Sequence, residues 1–507
     1  MRGSVLNRAN VGGVRRILAA AMVPVLVVAA GCSRTVTPDP VAVNSAAAGF
    51  ADQLRQRVST DAMIVHLQRM QKIADENGGN RAVGRPGYDA SVDYVSEVLR
   101  ANGFDVQTPQ FGVRVFKSEK PVLTVAGRNV DADTLRFSAG TSPDGVSGPL
   151  VAAPADETPG CVPADYDGLP VKGAVVLVDR GSCPFSEKQS IAATLGAVGL
   201  IVADNVEEES MPATLGENTD VKIPVVGVSK AEGARLRATP GAVSLTVDAS
   251  TTAITARNVI AQTKTGSTSD VVMVGAHLDS VPEGPGINDN GSGVAAVLET
   301  AVALGNSPAI KNAVRFAFWG AEEIGTVGSK RYVQSLSVDQ LKDIALYLNF
   351  DMLASPNVGY FTYDGDQSTA PGRGEETPRV PEGSPGIERT LVAYLKAMGK
   401  TAQDTSFDGR SDYDGFTLAG VPAGGLFAGA EEKKSAEQAT LWGGTADAPF
   451  DPNYHKATDT LDAIDREALS IQGGGVAYAV GLYAQSLDGR NGIPLRADRT
   501  RHVVTDS

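Results

Sequence analysis

The sequence contains few of the residues on which several common hydrolytic mechanisms depend. It has three cysteines and four histidines in 507 residues. It carries no H-E-x-x-H motif for a helix-borne zinc site and no G-x-S-x-G elbow to seat a serine nucleophile. Cys161 and Cys183 lie away from any histidine, which argues against a cysteine nucleophile. No P-loop or dinucleotide-binding fingerprint stands out.

Positive charge is also scarce. The chain has 45 lysines and arginines against 59 aspartates and glutamates, a formal net charge of −14. Four of the arginines precede residue 32, so without that segment 41 basic residues face 59 acidic ones, a net charge near −18. Such a balance argues against nucleic acid, or an anionic membrane, bound through a basic patch. We therefore expect no nucleic-acid partner.

The first residues are typical of an export signal. Four arginines among residues 2–16 precede an apolar run, residues 17–30, that is too short to span a bilayer. The run ends in Ala-Ala-Gly-Cys32, which resembles a bacterial lipobox. The sequence therefore predicts a lipoprotein signal peptide at residues 1–31, lipidation of Cys32 and a polar tether at residues 32–48. The protein is then exported and lipid-anchored at the outer face of the cytoplasmic membrane; signal cleavage without lipidation is the alternative.

The remaining pattern predicts two kinds of folding unit. Residues 47–110 are expected to form a helix, a loop and a second helix. From residue 256 apolar strands alternate with helices, which predicts an α/β sandwich with a mostly parallel sheet. The strands are expected at residues 271–276, 314–319, 345–350 and 423–427, and the helices at residues 293–304, 328–336, 387–398 and 466–486. Residues 363–386 are a Pro- and Gly-rich loop, expected to be a flap or rim.

Between residues 138 and 250 the chain changes to short valine-rich runs separated by Gly, Pro and Asp. The stretch G-A-V-V-L-V-D-R-G-S-C-P-F at residues 173–185 resembles the protease-associated domain, a small β-rich insert of several peptidase families. The resemblance implies a lid or docking surface without chemistry of its own. We expect a main domain at residues 49–137 and 251–495, this insert at residues 138–250 and a flexible tail at residues 496–507.

The two cysteines of the insert have a structural use. Because an exported chain sits in an oxidising compartment, Cys161 and Cys183 are expected to form a disulfide. Two free buried thiols are the alternative.

Ionisable side chains stand where the predicted strands end. His277 closes the first strand, and Asp351 closes the third. Glu322 and Glu323 follow the second strand, and Asp289 lies in a Gly/Asn turn after His277. Ligands of doubly wound α/β proteins bind at the carboxyl ends of the strands, so these residues are expected to converge there.

With His455, which lies in a later loop, the set suits two zinc ions. Asp289 is the expected bridge between them, because its glycine-flanked turn allows close approach.

Several motifs together resemble the co-catalytic zinc aminopeptidases of the secreted Streptomyces and Aeromonas type. The resemblance spans roughly residues 256–484 and implies their three-layer zinc exopeptidase fold. The motifs that carry it are His277-x-Asp279, the turn at residues 286–293, Ala321-Glu322-Glu323, Asp351-Met352, Gly409-Arg410-Ser411-Asp412 and Tyr454-His455.

The resemblance also implies a role for each residue. His277 and Asp351 hold one zinc ion, Glu323 and His455 hold the other, and Asp289 bridges them. Glu322 is the general base, and Asp279 holds the second nitrogen of His277. Tyr454 stabilises the oxyanion, Arg410 positions the substrate near its free amino end, and Phe427 lines the first side-chain pocket. A calcium ion is also compatible with this family, but the sequence identifies no ligands for it.

We therefore expect a zinc-dependent, lipid-anchored aminopeptidase that removes large apolar, leucine-like residues from peptides with a free amino terminus. A monomer is expected. Within the same fold, a carboxypeptidase and a glutaminyl cyclase are the alternatives. A different class of alternative is a non-catalytic surface receptor that binds its partner through the protease-associated insert.

Overall fold

A computed structural model describes residues 45–207, 213–369, 380–488 and 492–505. All of them belong to one compact unit. The predicted signal peptide, Cys32, and all of the tether except its last four residues lie outside the described residues, as do residues 370–379 of the loop at residues 363–386.

The elements are numbered here in chain order. The helices of the described ranges are α1 (Ser45–Arg57), α2 (Thr60–Glu76), α3 (Pro86–Ala101), α4 (Phe185–Thr194), α5 (Lys230–Ala238), α6 (Gly293–Leu304), α7 (Val327–Gln334), α8 (Val338–Asp343), α9 (Ser384–Ala397), α10 (Tyr413–Leu418), α11 (Ala436–Trp442) and α12 (Arg466–Gln485). The strands are β1 (Asp105–Gln107), β2 (Gln110–Ser118), β3 (Val122–Val125), β4 (Arg128–Val130), β5 (Asp133–Thr134), β6 (Val146–Ala152), β7 (Val175–Asp179), β8 (Gly199–Ala203), β9 (Val225–Val228), β10 (Ala242–Thr246), β11 (Ala249–Arg257), β12 (Val259–Gln262), β13 (Ser267–His277), β14 (Asn312–Trp319), β15 (Ile344–Phe350), β16 (Phe361–Tyr363), β17 (Gln403–Thr405) and β18 (Ala423–Phe427).

The larger domain is built on a mixed sheet. Within the described ranges it has eight strands in the order β1-β12-β14-β13-β15-β18-β16-β17. The central pairs β14/β13, β13/β15 and β15/β18 are parallel, whereas β1/β12, β12/β14 and β16/β18 are antiparallel. The mixed, mostly parallel sheet expected from the sequence is confirmed.

Helices cover both faces because alternate side chains of a strand point to opposite sides. Val272 and Val274 of β13 pack with residues of α2, α3, α6, α9 and α12. Met273, which lies between them, packs with residues of α7, α8 and α10. On that second face Tyr347 of β15 stacks on Phe416 of α10, with ring centroids 4.0 Å apart. A strand buried on both faces needs a continuous apolar run, and this is the pattern of β13 and β15.

The insert forms a second sheet. Among the described residues eight strands take the order β4-β3-β10-β6-β7-β8-β9-β5, with β6 to β9 parallel. The antiparallel ribbon of β2 and β11 leads out of the main domain and back, and Ser118 pairs with Ala249 at its end. The disulfide between Cys161 and Cys183 is formed.

The boundary of the insert differs from the expectation at residue 138. The strands β3, β4 and β5 lie before that residue, yet they are hydrogen-bonded into the insert's sheet. The N–H of Glu119 also donates to the carbonyl of Asp248 at 2.9 Å, just beyond the ribbon. We therefore propose Glu119 and Asp248 as the limits of the insert.

Two further expectations need correction. The first predicted helix is two helices, because Ser59 interrupts it and caps α2 by accepting the N–H of Ala62 at 3.1 Å. The residues expected to be a flexible tail are anchored, at least through Arg501. The Arg501 guanidinium donates to the carbonyls of Gly420 at 2.7 Å and Ile344 at 3.0 Å. A short polar segment has no periodic apolar pattern, so the sequence did not indicate that this segment binds the main domain.

Arg499 makes the stronger anchor. Its side chain has no exposed surface and donates to the carbonyls of Ser269 at 3.0 Å and Lys342 at 2.7 Å, and to the carboxylate of Asp270 at 2.6 Å.

No helix in the part of the chain that the structure describes has the length and apolar character needed to cross a membrane.

We predict that Arg499→Met lowers the free energy of unfolding by about 3 kcal/mol, because it leaves buried acceptors without a partner. The matched control is Arg496→Met, which removes a partly exposed ion pair with Asp343 and should change stability less. Chemical denaturation measures both variants. Equal stability of the two would contradict the anchoring role of Arg499.

Candidate metal centre

The five predicted ligands meet in one cleft. Asp289 is central: its Oδ1 lies 3.2 Å from Nε2 of His277, and its Oδ2 lies 3.2 Å from Nε2 of His455. Asp351 Oδ1 lies 3.3 Å from the same nitrogen of His277. Glu323 Oε2 lies 3.0 Å from the same nitrogen of His455. The single carboxylate of Asp289 therefore stands between two ligand groups, each with one histidine and one further acid.

The sheet order explains this convergence. β13 lies between β14 and β15, and all three run parallel, so the residues at their carboxyl ends are neighbours. His277 is the last residue of β13, and Asp351 directly follows β15. Glu322 and Glu323 lie in the turn after β14. His455 lies in a loop, and its own backbone is in the left-handed conformation, with φ of 57°.

The turn that carries Asp289 is irregular and held from both sides. Gly286, which opens it, has φ of 64°, where a side chain would be strained, and the peptide bond between Asp289 and Asn290 is cis. Asp459 accepts the N–H groups of Asn288 at 2.7 Å and Asp289 at 3.0 Å.

From the other side Arg81, which is fully buried, donates to the carbonyls of Pro285 at 2.9 Å, Gly286 at 2.6 Å and Leu278. No role was predicted for Asp459 or Arg81, because neither lies in a recognisable motif and long-range backbone contacts leave no local pattern.

The donor atoms fit cations. Among the described residues, Glu323 Oε1 and Asp351 Oδ1 are buried without a hydrogen-bond partner. The atoms of each three-residue group, His277 with Asp289 and Asp351, and Asp289 with Glu323 and His455, lie within 4.8 Å of one another. Imidazole nitrogens and carboxylate oxygens are typical zinc ligands. Asp351 Oδ2 in turn accepts the hydroxyl of Ser411 at 2.7 Å, which orients this carboxylate.

The electrostatics point the same way. Burial, with repulsion from Asp289, raises the pKa of Glu323 to about 8, and burial raises the pKa of Glu322 well above its ordinary value. Burial acts to lower the pKa of His455, but Asp289 and Glu323 outweigh it and raise that pKa to about 10. Burial also acts to raise the pKa of Asp289, yet the two histidines hold it below its usual range. Crowded acids of this kind need positive charge nearby.

Asp279 lies beside the second ring nitrogen of His277. Its carboxylate lies 3.7 Å from Nδ1 of His277, whereas its backbone carbonyl lies 3.2 Å from that nitrogen. The carboxylate instead accepts the N–H groups of Glu322 at 3.1 Å and Glu323 at 3.3 Å. Asp279 thus fixes the ring of His277 through its main chain and the glutamate turn through its side chain.

Comparison with known proteins identifies the family. Residues 258–480 match the family model described as Peptidase family M28, and residues 146–236 match the PA domain. The chain is 69% identical over 490 residues to "Probable lipoprotein aminopeptidase LpqL" of Mycobacterium tuberculosis, with 96% of this chain and 97% of that protein covered. This chain belongs to peptidase family M28.

Other members of the M28 family and solved structures are more distant. "Leucine aminopeptidase 2" of Arthroderma otae is 39% identical, with 87% of each chain covered. The solved structure "Aminopeptidase from Aneurinibacillus sp. strain AM-1" has a TM-score of 0.69 at 26% identity, covering 88% of this chain and 98% of that one. A zinc aminopeptidase from Bacillus subtilis has a TM-score of 0.57 at 26% identity, covering 86% and 98%.

Tyr454 and Arg410, which were expected to act on the substrate, both line the cleft that contains the metal ligands, and they contact each other. The ring of Tyr454 stacks on that of His455, with centroids 3.8 Å apart, and its hydroxyl accepts from Arg410 at 3.3 Å. Arg410 also pairs with Glu431 at 2.8 Å and lies 3.6 Å from Glu432. Its charge is therefore already balanced by two acids that the sequence did not single out.

Phe427 lines the cleft. Phe427 ends β18 and packs against Phe361, with ring centroids 6.1 Å apart. Met352 and Tyr363 line the same cleft. Asp412 lies in the core beside it, fully buried, and neither of its carboxylate oxygens has a hydrogen-bond partner within the described part of the chain. The sequence placed Asp412 in a motif but assigned it no role.

A third acidic group, Asp364, Asp366 and Glu388, lies outside this cleft. Asp364 accepts the N–H groups of Ser368 at 2.9 Å and Thr369 at 3.0 Å, and Glu388 accepts that of Asp366 at 2.9 Å. These hydrogen bonds account for the group, so it gives no support to the calcium ion that the sequence left open.

We predict that the metal-free M28 protein loses stability as pH rises from about 5 to about 9. Glu323 and His455, with pKa values raised to about 8 and about 10, and Asp459, whose pKa burial raises to about 7, keep protons in the folded state that the unfolded chain has released. The folded state therefore binds more protons in this window, and its stability falls with rising pH. Asp289 has the opposite sign but acts below the window.

Zinc binds the deprotonated groups and should reverse this trend. Thermal unfolding at about pH 5.5 and about pH 8.5, with a chelator or with zinc, tests the prediction. An equal zinc effect at both pH values would contradict it.

Proposed function

We propose that this M28 protein is a two-zinc aminopeptidase that hydrolyses the first peptide bond of peptides outside the cytoplasmic membrane. The observation that carries the proposal is the carboxylate of Asp289, whose two oxygens each face a different histidine at 3.2 Å. One such acid can be shared by two cations, each completed by a histidine and a second carboxylate. The names of the relatives, a lipoprotein aminopeptidase and a leucine aminopeptidase, support the same activity.

In this mechanism two groups of residues would each hold a zinc ion. His277 and Asp351 would hold one, Glu323 and His455 would hold the other, and Asp289 would contribute to both. When bound, the zinc ions supply Lewis acidity toward the scissile carbonyl and toward the attacking water. Ser411 keeps Asp351 oriented, and Asp459 and Arg81 keep the turn of Asp289 in place, so that the ligands are preorganised.

Glu322 is the proposed proton carrier. Its Oε2 lies 3.9 Å from Nε2 of His277, beside the ligands and outside hydrogen-bond distance of that ring. Burial raises the pKa of Glu322, which makes its carboxylate a better proton acceptor than an exposed glutamate. It takes the proton of the attacking water and passes it to the leaving amine.

Tyr454 is the proposed oxyanion donor. Burial, with the nearby charge of Asp289, raises the pKa of Tyr454, so its hydroxyl keeps its proton. Because Arg410 donates to the oxygen of this hydroxyl, the hydroxyl hydrogen is free to point toward the substrate.

Recognition of the free amino terminus is proposed to rest on the acids of the cleft. Glu432 and Asp408 line the cleft. The charge of Arg410 is already balanced by Glu431 and Glu432, so it is not available to bind the carboxylate of a substrate. An acidic site attracts an ammonium group and repels a free carboxylate, which favours an aminopeptidase over a carboxypeptidase. Phe427 and Met352 provide an apolar wall for a leucine-like side chain.

Lipidation of Cys32 is proposed as the membrane anchor, with support from the name of the Mycobacterium tuberculosis relative. The anchor would keep the enzyme at the outer face of the cytoplasmic membrane, where peptides in the cell envelope are its substrates. A monomer is proposed.

We predict that Glu322→Ala keeps its zinc yet loses about 10³-fold in kcat, because only the proton transfer is removed. Asp289→Ala should lose both zinc and activity. Glu283→Ala, which removes an exposed acid of the neighbouring loop, is the matched control and should resemble the wild type. Metal analysis and hydrolysis of a leucyl anilide measure both properties; near wild-type turnover in Glu322→Ala would rule out the general-base role.

We also predict that the enzyme requires a free α-amine. Leucyl anilide and a carboxy-amidated dipeptide should be cleaved, whereas their N-acetylated forms should not, and a chelator should abolish all cleavage. Cleavage of the N-acetylated dipeptide with a free carboxylate would favour the carboxypeptidase. Cyclisation of N-terminal glutamine without hydrolysis would favour the cyclase. A protein with less than one zinc ion per chain and no turnover would favour the receptor.

A further inference from the structure

The turn that carries Glu322 and Glu323 is strained and needs support. It follows β14, and two of its residues, Ala321 and Thr326, have positive φ values of 61° and 56°. Such conformations persist for non-glycine residues only where the surroundings impose them. Gly325, which lies between the glutamates and Thr326, is exposed and has φ of 115°.

The main domain fixes the first half of this turn. Asp279 accepts the N–H groups of both glutamates, and the amide of Asn258 accepts the N–H of Gly320 at 3.0 Å and donates to the carbonyl of Gly328 at 2.9 Å. These contacts hold the turn at Gly320, at the two glutamates and at Gly328, and backbone hydrogen bonds such as that from Gly325 to Glu322 close it. They do not reach the carbonyl of Ile324, the residue directly after Glu323.

That carbonyl is held by the insert. Nη2 of Arg136 donates to the carbonyl oxygen of Ile324 at 2.8 Å. Arg136 belongs to the chain just after β5, within the insert limits given above. A hydrogen bond from a charged donor is shorter and stronger than one between neutral groups. The insert thus touches the peptidase one residue away from a proposed zinc ligand.

Arg136 is itself held in place within the insert. Its backbone N–H donates to the carbonyl of Ala213 at 2.9 Å, and its carbonyl accepts the N–H of Leu215 at 3.0 Å. Its guanidinium lies over the ring of Phe137, 5.5 Å from the centroid. A residue fixed at both its backbone and its guanidinium can transmit the position of the insert to the turn.

We propose that Arg136 is a positioning residue, through which the insert holds the glutamate turn in its productive geometry. The proposal rests on the proposed roles of Glu322 and Glu323. In this arrangement the insert is a structural part of the active site, since it fixes the turn that presents the proton carrier and a zinc ligand. Displacement of a catalytic group by about 1 Å can cost up to about 10²-fold in rate, so one well-placed hydrogen bond is sufficient.

The test is a series at position 136, with Arg136→Lys, Arg136→Gln and Arg136→Met. Lysine keeps a charged donor, glutamine keeps a neutral donor, and methionine keeps only the apolar stem. The matched control is Arg128→Met, which removes an arginine of the same insert that pairs with Glu232 at the insert's surface. We expect kcat to fall in the order Lys, Gln, Met, by about 10-fold in the last, with KM changed less than about 2-fold.

Two readouts separate positioning from a general loss of structure. The cobalt-substituted protein should show altered visible absorption bands in Arg136→Met but not in Arg128→Met, because Glu323 is displaced. The affinity for the second metal equivalent should weaken by about 10-fold, whereas the thermal midpoint should stay close to that of Arg128→Met. A flat series in kcat, a loss confined to KM, or losses that only follow the thermal midpoint would overturn the proposal.

Failure of this inference is distinguishable from failure of the proposed function. If the wild type does not hydrolyse leucyl anilide, the aminopeptidase assignment fails, while the cobalt bands and metal affinities still report on the turn. If the wild type is active and Glu322→Ala is not, while the series at position 136 is flat, the function stands and only the role of Arg136 falls.

Discussion

Mutual repulsion among buried carboxylates is the interaction on which the rest of this molecule depends. Asp289, Glu323 and Asp351 share a cleft with Glu322, and burial leaves little solvent to screen them. The two histidines offset part of this charge in the protein alone, which is why the pKa of Asp289 is lowered and that of His455 is raised. The remaining negative charge gives the site its affinity for cations.

Such a cluster can exist only if the backbone around it is held rigidly. Asp459 and Arg81 clamp the turn of Asp289 through main-chain groups, and Asp279 does the same for the glutamate turn. None of these three needs to contact a metal. Their effect is to remove the conformational freedom by which the acids could move apart, so that the free energy gained on cation binding is not spent on ordering the loops.

The sequence could predict the position of the ligands because strand ends follow from local pattern. The continuous apolar runs of β13 and β15 predicted their carboxyl ends within a residue, and α6 was predicted with the bounds that the structure shows, since it is bounded by glycines. The parallel order of these strands then brings the ends together. The supporting residues could not be predicted in this way. Arg81 is some 200 positions from the carbonyls that it contacts, and Asp459 resembles any acid in a polar loop.

The errors have a common physical origin as well. The boundary at residue 138 failed to include β3, β4 and β5, because short strands carry too little pattern to show which sheet they join. The C-terminal segment looked polar and free, whereas most of the acceptors that bind Arg499 and Arg501 are main-chain carbonyls, which any sequence supplies.

The ribbon of β2 and β11 has a consequence for how such a protein could arise. Because Ser118 and Ala249 face each other across it, the chain leaves the peptidase and returns to it at adjacent points. More than a hundred residues are therefore attached where a two-residue hairpin turn would otherwise suffice. A single insertion or deletion in an ancestral gene could add or remove this module without shifting the register of any strand in the catalytic sheet.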